Sequence, residues 1–133
     1  MKILIADDVK GWQYFHKCVL SRLFPDARFN FADSATEAYS KILEQTNDPY
    51  NLVITDMQME LDYHPLHAGE WLIERIQETK QCLNTKIVTI SATPNLRLIA
   101  EKYSIDYIPK SAARNLSDSY DFIKEIFNKQ EHQ

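Results

Sequence analysis

The sequence predicts an α/β fold, a doubly wound parallel sheet of five strands with helices on both faces. Three observations predict it. Five short apolar runs recur along the chain, and each is followed by a stretch with helical spacing. That alternation implies βαβ units and a sheet covered on both sides. Acidic, hydroxyl and basic residues also stand at the ends of four of the five runs, where an open parallel sheet builds its sites.

Taken in order, Lys2–Asp7 reads as a buried strand. Val9–Phe24 has helical spacing, with Trp12, Phe15, Val19, Leu20 and Leu23 on one face. Ala27–Ala32 alternates Phe29 and Phe31 against Arg28 and Asn30 and reads as a strand. Ser34 and Glu37 form a capping box that opens a helix to Glu44. Asn51–Thr55 is a Val- and Ile-containing strand, followed by a long loop over Met57–Ala68. Gly69–Lys80 reads as a helix with Trp71, Leu72 and Ile76 inward. Lys86–Ser91, Asn95–Tyr103, Asp106–Pro109 and Ser117–Lys129 complete the pattern as strand, helix, strand and helix. Residues 1–129 form one domain, and 130–133 a polar tail. Five such units match the flavodoxin-like strand order 2-1-3-4-5. Pro109 suits the edge position that this order gives strand five.

The chain has 133 residues, 44% of them hydrophobic and 26% charged, which fits one globular domain with one core. Its net charge of −4 argues against nucleic acid or an anionic membrane as a direct partner. No apolar run reaches the length of a membrane span. Asp7 and Asp8 cut the apolar start too short for a signal peptide. Cys18 and Cys82 fit no metal spacing and read as ordinary thiols of a reducing compartment, so a cytoplasmic protein is expected.

Asp7 and Asp8 end strand one, Asp56 strand three, Ser91 strand four and Lys110 strand five. Taken singly, each has an ordinary use as a cap, a turn residue or a surface charge. In the order 2-1-3-4-5, however, strands one and three are neighbours, so three carboxylates converge. They repel unless they take up a proton or a cation, and Mg²⁺ prefers such hard oxygen ligands. Ser91 would lie beside Asp56. Lys110 would lie two strands away, about 10 Å at the usual strand spacing, a gap only a long side chain spans. A nucleophilic carboxylate, a divalent cation, a hydroxyl and an ammonium suit phosphoryl transfer onto Asp56.

With these residues the sequence resembles the receiver domains of two-component response regulators over nearly its whole length. The resemblance rests on Asp7-Asp8, Asp56 with Met57 and Met59, Gly69, Ser91-Ala92 and Lys110. It implies Asp56 as phospho-acceptor and Lys110 and Ser91 as groups that act on the phosphoryl oxygens. It implies a Mg²⁺ site of Asp7, Asp8, Asp56 and the backbone carbonyl of Gln58. Ser91 and Tyr107 would form the switch. A sensor histidine kinase or histidine phosphotransfer protein would donate the phosphoryl group. A downstream protein would dock on helix four, strand five and helix five, and a phosphorylation-dependent dimer is open. No turnover enzyme is implied beyond the domain's own phosphorylation and dephosphorylation.

Two departures stand out. Ser111 follows Lys110 where the family has proline, and Gly69 stands 13 positions after Asp56, several more than is usual. The extra segment is Glu60–His67. It reads either as a tolerated surface loop or as a partial lid beside the site. His64 and His67 within it lack further convergent ligands and read as surface residues. The alternative to phosphorylation is a receiver-like interaction module that works without it. A Mg²⁺-dependent phosphohydrolase is disfavoured, because such enzymes carry Asp-x-Asp after the first strand and this chain has Asp7-Asp8-Val9.

Overall fold

The computed structural model describes residues 1–131. Its elements, in order, are β1 (Lys2–Ala6), α1 (Lys10–Leu23), β2 (Arg28–Ala32), α2 (Ala35–Glu44), β3 (Leu52–Thr55), α3 (Ala68–Glu78), β4 (Lys86–Ser91), α4 (Leu96–Tyr103), β5 (Asp106–Pro109), α5 (Lys110–Asn115) and α6 (Asp121–Glu131). Single 3₁₀ turns occupy Pro65–His67 and Lys80–Cys82. All strand pairs are parallel, in the order β2-β1-β3-β4-β5.

Strand periodicity divides the core in two. Leu4, Ala6 and Val53 point to one face, where they meet Ala38 and Ile42 of α2 and Leu72, Ile73 and Ile76 of α3. Ile3, Ile5, Leu52 and Ile54 point to the other, against Leu20 of α1 and Ile123 of α6. β1 and β3 are central and therefore apolar on both faces, whereas the edge strand β2 alternates.

Three local expectations need correction. A separate helix, α5, starts at Lys110 itself, so the last helix begins at Asp121 rather than Ser117. Trp71 does not point inward; it is 37% exposed and packs edge-on against Tyr39. The expected apolar face of α1, Trp12, Phe15, Val19, Leu20 and Leu23, does pack on the core, and buried Gln13 and His16 share it. In the capping box, Ser34 Oγ accepts from the Glu37 amide at 3.0 Å, but Glu37 Oε2 accepts from Asp33 rather than from Ser34. The final helix reaches Glu131, into the stretch expected as a tail; residues 132 and 133 lie outside the described residues. Among the described residues no helix is long and apolar enough to cross a membrane.

Candidate functional site

Register builds the site. Ala6 pairs with Thr55, so Asp7 and Asp56 leave neighbouring strands side by side. Ser91 pairs with Pro109, so Lys110 leaves β5 just beyond Ser91. One carboxylate oxygen each from Asp7, Asp8 and Asp56 falls within 4.8 Å of the others. Lys110 crosses the intervening strand to place Nζ 2.8 Å from Asp56 Oδ2 and 3.1 Å from Asp7 Oδ2. These groups, except buried Asp7, line an open cleft of about 430 Å³ with Gln58, Glu60, Ser91, Thr93 and Pro94.

Each side chain is held by its local backbone. Asp7 Oδ1 accepts from the Val9 amide at 2.8 Å in the turn into α1. Asp56 Oδ1 accepts from Met57 N–H at 2.7 Å. Asp8 Oδ2 accepts from Glu60 N–H at 3.1 Å. Ser91 Oγ accepts from Thr93 N–H at 3.2 Å and lies equally far from the Thr93 hydroxyl. Gln58 is in the cleft, its amide 3.5 Å from Asp56 Oδ1. Tyr107 lies half-buried against the α3–α4 side of the core. Pro109 and Lys110 join by a trans peptide, as do all described residues.

The electrostatics leave room for a cation. Asp7 is 1% exposed, and its Oδ2 makes no well-aligned hydrogen bond despite its approach to Lys110. Burial first, and the Asp56 charge second, push its carboxyl up to about 6. Burial opposes the charge on Lys110, but its hydrogen bond to Asp56 and the charges of Asp56 and Asp7 outweigh that and raise it. Three converging hard oxygens, from carboxylates whose charge the single Lys110 ammonium offsets only in part, are the donor set a magnesium ion takes. Asp7, Asp8 and Asp56 therefore fit such an ion.

Several residues here were not legible as site residues. His16 places Nδ1 2.6 Å from the Tyr120 hydroxyl and Nε2 4.0 Å from Asp7 Oδ2. Trp12 lies under Lys110 at 4.9 Å and under Arg114 at 5.3 Å. The only available signal was two polar residues, Gln13 and His16, on the helix face that also carries Leu20.

The extra segment divides between two places. Glu60 stays at the cleft. Asp62 turns away and caps α2: its carboxylate accepts from Ala35 N–H at 2.8 Å and Thr36 N–H at 3.1 Å. Tyr63, His64 and His67 then line a different groove, shared with Thr36 and Trp71. At the cleft the segment contributes Glu60.

The same overall fold recurs in solved structures. The receiver domain of a DNA-binding response regulator from Colwellia psychrerythraea superposes with a TM-score of 0.72 at 20% identity, over 100% of this chain and 99% of that one. Its fold is that of a response-regulator receiver domain. The Mn²⁺-bound form of response regulator Rcp1 gives 0.69 at 20% identity, over 94% and 90% of the two chains. Chemotaxis response regulator CheY4 of Vibrio cholerae gives 0.66 at 16%, over 82% and 85%. No family model and no curated protein sequence matches the chain.

Proposed function

We propose that this receiver domain accepts a phosphoryl group on Asp56 and signals by a change of shape. The observation that carries the reading is Lys110, which reaches from the edge strand β5 to bridge Asp56 after β3 and Asp7 after β1 at the open cleft. In the step, a carboxylate oxygen of Asp56 attacks phosphorus. The bond from phosphorus to the donor's imidazole nitrogen, or to an acyl oxygen, breaks, and its electron pair leaves with the donor. Lys110 balances charge on the equatorial oxygens, and Ser91 gives up its Thr93 partners to donate to one of them. Asp7, Asp8, Asp56 and the Gln58 carbonyl would hold a divalent cation. When bound, it neutralises charge on the transferring group. The Mn²⁺-bound form of Rcp1 supports this reading.

The donor in this reading is a histidine kinase or a histidine phosphotransfer protein. Output runs from Ser91 through Tyr107 to a protein partner on α4, β5 and the last helix, here α6. Intact-mass measurement after treatment with acetyl phosphate and Mg²⁺ tests the acceptor. One added phosphoryl group on wild type and none on Asp56→Asn is expected. Equal labelling of both overturns the assignment. No labelling of wild type by any donor leaves the interaction-module reading.

A further inference from the structure

His16 is an expensive residue to place where it is. It is 1% exposed on the buried face of α1, where an aliphatic side chain would pack without hydrogen-bonding needs. Its ring stacks on Trp12 with centroids 5.5 Å apart, and Nδ1 meets the hydroxyl of Tyr120, itself 1% exposed, at 2.6 Å. Nε2 faces Asp7 Oδ2 at 4.0 Å, the buried carboxylate oxygen that the Lys110 ammonium approaches at 3.1 Å from its other side without an aligned hydrogen bond.

The direction of the short contact follows from what lies at the other end of the ring. If Nδ1 carried the proton and donated to Tyr120, a bare Nε2 lone pair would face a carboxylate oxygen in a buried site. If Tyr120 donates to Nδ1 instead, the proton resides on Nε2 and its positive end faces Asp7.

We propose that His16, fixed by Tyr120 in the Nε2–H tautomer, is a positioning residue for Asp7. It backs Oδ2 while Val9 N–H holds Oδ1, so the carboxylate is oriented before a cation arrives. At 4.0 Å the contact is electrostatic rather than a hydrogen bond, and it acts on the ligand from behind as outer-shell partners do. It rests on the cation site proposed above. It also ties that site to α6, because Tyr120 immediately precedes Asp121.

The test combines a tautomer measurement with Mg²⁺ titration of the whole chain. Nitrogen-15 NMR of histidine-labelled protein is expected to show His16 protonated on Nε2. Mg²⁺ titration is followed by tryptophan fluorescence, which Trp12 reports from beside Lys110, with a melting curve in chelator for each variant. His16→Leu should stay folded and bind Mg²⁺ about tenfold or more weakly. His16→Gln, whose amide nitrogen reaches the Nε2 position, should recover most of that affinity. Tyr120→Phe keeps the ring packing and should also weaken binding, and it serves if His16→Leu fails to fold. An Nδ1–H tautomer, or Tyr120→Phe and His16→Leu binding Mg²⁺ as wild type does, overturns the proposal. No Mg²⁺ response in wild type removes the cation site itself and this proposal with it, a pattern distinct from either.

Discussion

Gly69 and Gly11 invite the same substitution and should respond with opposite signs. A Cβ on Gly69 would sit 2.3 Å from the Asp56 carbonyl oxygen and 2.5 Å from Met57 Cα, both backbone atoms, and 3.0 Å from Met57 Sδ. Nothing lies within 4 Å of a Cβ on Gly11. Gly69 lets the first turn of α3 lie directly on the loop that follows β3, where its amide bonds Met57 O at 3.0 Å. Ordinary carbon contacts need about 3.5–4.0 Å, so Ala at 69 forces a shift of more than an ångström between backbone segments. Overpacking of this kind costs about 1–3 kcal/mol, and the better helix propensity of Ala returns at most about 1 kcal/mol. Two backbone contacts under 3.0 Å place the cost at the upper end of that range, so the net loss is about 2 kcal/mol, which at a urea slope of about 2 kcal/mol per molar lowers the midpoint by about 1 M. Gly11→Ala, in the first turn of α1, should instead raise stability by about 0.5 kcal/mol. Urea titration of both variants beside wild type is the assay. Because the shift falls on Asp56 and Met57, Gly69→Ala should also slow labelling by acetyl phosphate. Two variants of equal stability, or a neutral Gly69→Ala, would refute the close-approach reasoning.

Asp62→Ala should cost about 1 kcal/mol, because it strips the first amides of α2 of their acceptor; a thermal melt that does not move would show that the cap contributes nothing. Mg²⁺ should raise the melting temperature of wild type, since it binds only the folded state, and Asp8→Ala should lose most of that rise. An unchanged Mg²⁺ response in Asp8→Ala removes Asp8 from the ligand set. In chelator, two buried groups should oppose each other in acid. Asp7 goes from its usual 3.8 to about 6 in the fold, so the folded state holds the extra proton and stability is lost as pH rises between those values. His16 goes from 6.5 to about 3, so the unfolded state holds the extra proton and stability is lost as pH falls between those values. Wild-type stability should therefore be nearly flat over about pH 4–6, while Asp7→Asn loses stability toward acid and His16→Gln gains it. Parallel pH profiles for the two variants would contradict the opposed shifts.

Strand placement and the polar residues after each strand were legible because both depend on short-range pattern and on chain order. Once Asp7, Asp56, Ser91 and Lys110 follow successive buried strands, a parallel sheet has one edge to put them on, and lysine is the side chain long enough to reach Asp56. What was not legible needed partners far along the chain. Asp62 looked like one polar loop residue among several, and only the fold brings it to the start of α2, 27 positions away from Ala35. His16 carries no signal of its own in the α1 pattern, since its two nitrogens face Tyr120, 104 positions on, and Asp7. Trp71 was read inward from its helical spacing alone, but Leu72, Ile73 and Ile76 already fill the core side of α3 and leave the indole at the edge with Tyr39. The separate α5 follows from the same limit. Lys-Ser-Ala-Ala-Arg-Asn carries no apolar stripe of its own, yet Ala113 is buried against the α1 side of the core. There Lys110 and Arg114, one turn apart, both lie over Trp12. Starting a helix at Lys110 fixes the backbone from which its side chain reaches Asp56, in a chain with Ser111 where the receiver pattern has proline.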